Sequence, residues 1–125
     1  MKIYVAHSKR LKNYKENLYI PIRNSRLNDI HEIKLPHEFS EEPYSSKEFI
    51  KTCDLLIAEI TETGTGLGIE IGWADAMEKP IIYTYRKGIK ISESVKSMEG
   101  YFLEYNNSDE LITGLESRIL DIKYK

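Results

Sequence analysis

The sequence has a single cysteine, Cys53, among its 125 residues. One thiol excludes an internal disulfide framework and any metal cluster that needs several cysteines. Cys53 begins an apolar stretch, which is typical of a small buried hydrophobic residue. The three histidines, His7, His31 and His37, follow no metal-ligand spacing, so the sequence indicates neither a metal site nor a cofactor.

Long hydrophobic runs and an excess of one charge are also absent. No apolar run approaches the ~18 residues of a membrane span, and residues 3–6 are too few for the core of a signal peptide. Lys and Arg number 18 and Asp and Glu 20, a net charge of −2 that argues against a nucleic-acid-binding surface. We therefore expect one cytoplasmic domain, residues 1–125, without membrane or polymeric nucleic-acid partners.

Short apolar segments alternate with amphipathic ones along the whole chain. Strands are predicted at 2–6, 31–35 (a sheet edge), 54–60, 81–85 and 101–105. Helices are predicted at 14–23, after Ser45 or Ser46, at 69–78, at 90–97 and from Ser108 to about 122. Pro21 should perturb or end the first helix, residues 24–29 form a turn, and residues 39–44 form a loop.

This alternation predicts a three-layer α/β sandwich of the flavodoxin-like or Rossmann-like type. Its five-stranded parallel sheet should have the order 2-1-3-4-5. Ligands of such sheets bind beyond the carboxyl ends of the strands, at the point where the strand order reverses. Here that point lies between strands 1 and 3.

Residues 53–74, CDLLIAEITETGTGLGIEIGWA, combine a buried strand, a glycine-rich turn over 61–68 and the start of a helix. The glycines at 64, 66 and 68 match neither the dinucleotide-binding fingerprint nor the Walker A loop. Two interpretations remain open. The turn is a sharp connection that needs positive φ, or its glycines let an anionic ligand approach free amides at the helix start.

Glu70 is the candidate catalytic residue. Its neighbours include Ile69, Ile71 and Trp73, and a carboxylate among apolar groups at such a cleft is suited to nucleophilic or acid–base chemistry. The alternative is a solvated acid near a helix N-terminus. Glu59, at the end of strand 3, either shapes the pocket or is a paired strand acid. In the loop after strand 1, residues 7–10 either contact an anion or sugar or form a solvated loop.

The segment DLLIAEITETGTGLGIEIGWADAMEKPII resembles the core of the nucleoside 2-deoxyribosyltransferase family and its relatives, the deoxynucleoside 5′-monophosphate N-glycosidases. Residues 66–74, GLGIEIGWA, match the family pattern G-[LV]-G-x-E-[IL]-G-x-A, and the opening IYVAHSKR is similar to the family's first strand and loop. The resemblance implies that Glu70 attacks the anomeric carbon of the sugar and expels the base. A glycosyl-enzyme intermediate then passes the sugar to water or to another base.

The resemblance also implies which residues bind the substrate. Residues 7–10 would contact the sugar or a 5′-phosphate, and Thr63 and Thr65 occupy the turn where relatives carry a serine. Ser92 resembles a serine that relatives lend to a neighbouring subunit, which implies a homodimer or a higher homo-oligomer. The expected substrate-binding set is His7, Ser8, Arg10, His37, Glu59, Thr63, Thr65, Gly66, Gly68 and Ser92.

Two positions depart from the family pattern. Ser46 stands eight residues before Asp54, where the family has an aspartate that protonates or orients the leaving base. A serine is no general acid at neutral pH, and the sequence does not choose among the substitutes Glu38, His37 and Glu48.

The second departure is Gly64, which replaces an aspartate of the transferases. The sequence also lacks their C-terminal extension, so it favours a nucleotide N-glycosidase over a transferase. A non-catalytic nucleotide-binding sensor or signalling module of the same fold is the alternative.

Overall fold

A computed structural model of the chain describes residues 1–41 and 45–124. Its five strands are Lys2–His7 (β1), Glu32–Lys34 (β2), Leu55–Glu59 (β3), Ile81–Arg86 (β4) and Tyr101–Tyr105 (β5). They form one parallel sheet in the order β2-β1-β3-β4-β5, which confirms the predicted topology and the edge position of β2. The loop predicted at 39–44 lies partly outside the described residues. Within those residues, no helix is long and apolar enough to cross a bilayer.

The described residues form six α-helices, which cover the two faces of the sheet: Ile20–Arg23 (α1), Arg26–Ile30 (α2), Lys47–Thr52 (α3), Thr65–Ala76 (α4), Glu93–Lys96 (α5) and Ser108–Lys123 (α6). Successive strand residues point to opposite faces, and β1, β3, β4 and β5 each contribute to two cores. In β1, Ile3 and Val5 pack with α1, α2 and α6, whereas Tyr4 and Ala6 pack with α3 and α4. Both faces of the sheet are therefore covered, which confirms the three-layer α/β architecture.

The helix predicted at 14–23 is interrupted. Lys15–Tyr19 forms a π-helical turn, in which the Ile20 amide donates to the Lys15 carbonyl, and α1 follows it. Pro21 lies in the first turn of α1, where its missing N–H breaks no hydrogen bond. Helix α1 continues past Pro21 to Arg23, so Pro21 does not end the helix, and the π-helical turn lies directly before α1. The prediction of a turn at 24–29 is wrong, since α2 begins at Arg26.

Helix α4 begins at Thr65, four residues before its predicted start. Gly66 and Gly68 lie inside the helix, and neither has a positive φ, so the positive-φ interpretation of the turn is wrong. Glycine inside a helix costs only about 1 kcal/mol. Burial of Leu67 and Ile71 against the sheet offsets that cost.

The N-cap of α6 is Asn107, one residue before the predicted Ser108. The Asn107 side chain accepts a hydrogen bond from the Glu110 amide at 2.9 Å, and the Glu110 carboxylate accepts one from the Asn106 amide at 3.0 Å. These two bonds satisfy amides at the helix start that have no intrahelical acceptor.

Candidate active site

A cleft of 340 Å³ opens at the carboxyl ends of β1 and β3, where the strand order reverses. Its walls come from the end of β1, the loop after β2, the start of α3 and the first turns of α4. The lining residues are His7, Lys9, His37, Ser45, Ser46, Gly66, Ile69, Glu70 and Trp73. In the described part of the chain, no three His, Cys, Asp or Glu side chains converge to hold a metal ion.

Glu70 is bound by residues from two other elements. Its Oε2 accepts a hydrogen bond from the Tyr4 hydroxyl at 2.6 Å and a second from the Ser46 hydroxyl. Tyr4, in β1, is 1% exposed, and Ser46, just before α3, is 2% exposed. Both partners are fixed by the cores around them, so the Glu70 carboxylate is fixed as well.

Two opposing effects set the ionisation of Glu70. Burial raises its pKa above the ordinary value, and the hydrogen bonds from Ser46 and Tyr4 lower it, with burial the larger effect. The hydroxyl donors favour the ionised form because they bond more strongly to a carboxylate than to a carboxylic acid. Among the described residues both hydrogen bonds fall on Oε2, and none falls on Oε1.

His7 is held as one neutral tautomer. Its Nδ1 lies 2.9 Å from the Ser8 carbonyl, which only accepts, so Nδ1 carries the hydrogen. Nε2 then accepts from the Tyr19 hydroxyl at 2.6 Å, and that hydroxyl accepts from the His37 amide at 3.0 Å. Burial is the main cause of the lowered pKa of His7. His7 is thus an uncharged, fixed part of the cleft wall.

His37 packs edge-on against His7, with ring centroids 5.8 Å apart and planes at 82°. The Tyr14 ring lies 6.4 Å from His37 and 4.6 Å from His7, which completes an aromatic wall. Burial and the charge of Lys9 lower the pKa of His37.

The three possible substitutes for the missing aspartate lie in different environments. Glu38 accepts two hydrogen bonds from Arg23, each 2.8 Å long, and this contact lowers its pKa. Glu48 is exposed on α3 and does not line the cleft. His37 is the only one of the three that does. Ser46 itself donates to Glu70.

The expected substrate-binding residues do not all meet at this cleft. Only His7, His37 and Gly66 join Glu70 there. A separate pocket of 190 Å³, between the start of α4 and α5, is lined by Thr63, Gly68 and Ser92, together with Ile60, Glu62, Gly64, Leu67, Ile71, Ser94 and Val95. Four expected residues line neither pocket: Ser8, Arg10, Glu59 and Thr65.

Glu59 is 1% exposed and is fully engaged below the carboxyl edge of the sheet. It accepts hydrogen bonds from the Thr61 amide at 2.6 Å and from the Tyr105 hydroxyl. Burial raises its pKa, against the lowering effect of these two bonds. Of the two roles considered for Glu59, the structure places it as a paired strand acid.

The sequence pattern predicts Tyr4 only as a packed strand residue, and it gives neither Trp73 nor Ser45 a place in the site. A signal for Tyr4 was present, because a buried tyrosine hydroxyl usually finds a hydrogen-bond partner. Alternation along β1 also places Tyr4 on the face that α4 covers. Trp73 follows Glu70 by three residues on α4, the spacing of one helix face.

Of the comparisons with known proteins, the comparison with solved structures gives matches and the sequence comparisons do not. No family model and no curated protein sequence matches this chain. Among solved structures, the chain is similar to the Clostridium botulinum CMP N-glycosidase BcmB, with a TM-score of 0.66 and 22% sequence identity. The match covers 93% of this chain and 99% of that one. The two proteins therefore share their fold over nearly their whole lengths.

Proposed function

We propose that this protein cleaves the N-glycosidic bond of a nucleoside or its 5′-monophosphate, with Glu70 as the nucleophile. The observation that carries this proposal is the Glu70 carboxylate, which Tyr4 and Ser46 hold through Oε2 inside the cleft. The fold shared with a protein described as a CMP N-glycosidase supports the same reaction class.

The proposed reaction has two displacements at the anomeric carbon. Glu70 Oε1 forms a bond to C1′ while the bond from C1′ to the base nitrogen breaks, and its electron pair leaves with the base. Water then attacks C1′ and releases the sugar from Glu70. A second base in place of water would make the same protein a transferase. The donors on Oε2 favour the ionised carboxylate against the effect of burial, and they aim it before the attack.

The walls of the cleft fit a nucleotide. Trp73 and Ile69 offer apolar surface to a base or sugar ring, and Lys9 brings a positive charge to the same space. An aromatic face favours stacking with a nucleobase, and an ammonium group favours a phosphate. We therefore favour a 5′-monophosphate over the free nucleoside.

The test is incubation with ribo- and deoxyribonucleoside monophosphates and nucleosides, followed by chromatography of the released base. Glu70→Gln keeps the shape of the side chain and removes the nucleophile. We expect it to lose roughly 10³-fold or more in kcat/KM. Glu104→Gln, an exposed carboxylate on β5, is the matched control and should retain full activity. Full activity of Glu70→Gln, or no base release from any substrate, would exclude this function.

A nucleotide-binding protein without turnover is the second candidate. It is favoured by Ser46, which stands at the position of the family's aspartate and is already bonded to Glu70. Isothermal titration calorimetry with CMP distinguishes the two functions. Saturable binding with no base release over hours supports the sensor, whereas base release during the titration excludes it.

We further propose that the protein acts as a homodimer in which the exposed Ser92 serves the partner's site. Ser92 lines the separate 190 Å³ pocket rather than the cleft of its own chain. Light scattering should give twice the mass of one chain. A mixture of inactive Glu70→Gln and impaired Ser92→Ala subunits should regain activity, and a monomeric active enzyme would contradict the proposal.

A further inference from the structure

Expulsion of an ordinary nucleobase leaves an electron pair on a ring nitrogen, and that charge must be neutralised by a proton. We propose that His37 donates this proton, an inference that rests on the function proposed above. His37 would thereby supply the acid that Ser46 cannot.

His37 is the best candidate for two reasons. It lines the cleft, and the other possible donors either lie outside the cleft or are already bonded to neighbouring residues. His37 lines the cleft with Glu70, whereas Glu38 is occupied by Arg23 and Glu48 lies outside the cleft. His7 lines the cleft too, but both of its ring nitrogens are already engaged. The Nδ1 atom of His37 is buried and has no hydrogen-bond partner among the described residues, and the residue lines the cleft.

The surroundings of His37 make its imidazolium form easy to deprotonate. Burial and the charges of Lys9 and Lys15 lower its pKa below the ordinary 6.5, while a hydrogen bond with the Ser40 backbone and the charge of Glu41 raise it. A weakly held proton is what a donor needs at slightly acidic pH. The titratable and charged groups that contact the ring or act on its charge are His7, Lys9, Tyr14, Lys15 and Glu41, and the Tyr19 hydroxyl accepts from the His37 amide.

The proposed step balances. As the C1′–N bond breaks and Glu70 Oε1 bonds to C1′, a proton of the His37 imidazolium moves to the departing base. The base leaves neutral, and His37 is left as neutral imidazole. In the second half, imidazole takes a proton from the attacking water while C1′ is released from Glu70. The products are the sugar phosphate and the base, and His37 is again protonated.

A pair of substrates isolates the proton transfer. The base of CMP needs a proton to leave, whereas the base of nicotinamide mononucleotide is a pyridinium and departs as a neutral pyridine without one. In His37→Gln we expect kcat/KM to fall roughly 10²- to 10⁴-fold with CMP. With nicotinamide mononucleotide we expect less than about a tenfold change, which also shows that the variant is folded.

The matched control is His31→Gln, a histidine outside the cleft whose Nδ1 lies 3.0 Å from the N-terminal amine. Its effect, if any, should be equal on both substrates. An equal loss on both substrates in His37→Gln would overturn the proposal, because a positioning role does not depend on the leaving group. Full CMP activity in His37→Gln would overturn it too.

The pH profile with CMP alone gives a second, independent test. In the wild type, kcat/KM should fall as the pH rises through the pKa of His37, below 6.5. This alkaline limb should vanish in His37→Gln, and its persistence would overturn the proposal. If the wild type cleaves nicotinamide mononucleotide but not CMP, the proposed role of His37 is overturned and the proposed role of Glu70 still stands. Base release from neither substrate would instead refute the proposed function itself.

Discussion

At the scale of single residues, Tyr4 connects the interior of the sheet to the carboxylate in the cleft. Its ring is packed in the core between the sheet and α4, and only its hydroxyl reaches Glu70, at 2.6 Å. Since this hydrogen bond favours the ionised carboxylate, Tyr4 sets part of the pKa of Glu70.

The Tyr4→Phe substitution removes that hydroxyl and keeps the packed ring. We expect the pKa of Glu70 to rise further, so the acid limb of the pH profile of kcat/KM moves to higher pH. The shift should be of the order of one pH unit, because one hydrogen bond to a charged group is worth about 1.5–3 kcal/mol.

The control for Tyr4→Phe is Tyr85→Phe, a half-buried tyrosine of β4 that does not line the cleft. It should leave the acid limb unchanged. An unchanged limb in Tyr4→Phe would show that Ser46 and burial alone set the ionisation of Glu70.

At the scale of elements, the start of α4 is fitted closely against the loop after β1. A Cβ atom on Gly64 would lie 2.8 Å from the Ser8 Oγ and 3.1 Å from its Cβ. The backbone of Gly64 is extended, with φ −172°, so space rather than conformation requires glycine here.

Gly64→Ala should therefore destabilise the protein by about 1–3 kcal/mol, the usual cost of inserting a group into filled space. Gly72→Ala is the matched control, because a Cβ there meets nothing within 4 Å and alanine favours a helix. It should stabilise by about 0.5–1 kcal/mol. Urea unfolding measures both, and a stabilising Gly64→Ala would show that Ser8 moves away without cost.

At the scale of the whole molecule, buried titratable groups make stability depend on pH in two directions. Burial lowers the pKa of His7, His31 and His37, so below pH 6.5 the unfolded chain binds protons that the folded protein does not. The free energy of unfolding therefore decreases as the pH falls below 6.5. Burial raises the pKa of Glu59 and Glu70, and this makes the free energy of unfolding decrease as the pH rises.

For Glu59 the sign follows from proton binding. Above its ordinary pKa of 4.5 the unfolded chain loses the proton while the folded protein retains it. The free energy of unfolding therefore decreases as the pH rises from 4.5 through the raised pKa of the folded state. Glu59→Gln removes this dependence and keeps an oxygen that accepts from the Thr61 amide.

We expect Glu59→Gln to gain stability relative to the wild type as the pH increases from about 5 to about 8. Urea unfolding at both pH values measures the difference, with the exposed Glu104→Gln as the control. A difference that stays constant with pH would mean that Glu59 ionises alike in both states.

Local patterns in the sequence are sufficient to predict the layers, the strand order and the position of Glu70. These depend on local patterns: apolar strands alternate with amphipathic helices, and Glu70 follows a strand that ends at the switch point. The sequence pattern predicts the start of α4 four residues too late, because glycines 66 and 68 suggest a turn. Burial of Leu67 decides for the helix, and burial depends on the neighbouring strands.

Which side chains meet depends instead on how the strands and helices pack against one another. Tyr4 and Glu70 are 66 residues apart in sequence, and Ser46 and Glu70 are 24 apart, so no local spacing relates them. Packing of the elements also brings Glu38 into contact with Arg23. It places Thr63 and Ser92 in a pocket separate from the cleft. Hydrogen bonds between elements require distances of about 3 Å, and such distances are fixed when the sheet and helices pack, not by the order of residues in the chain.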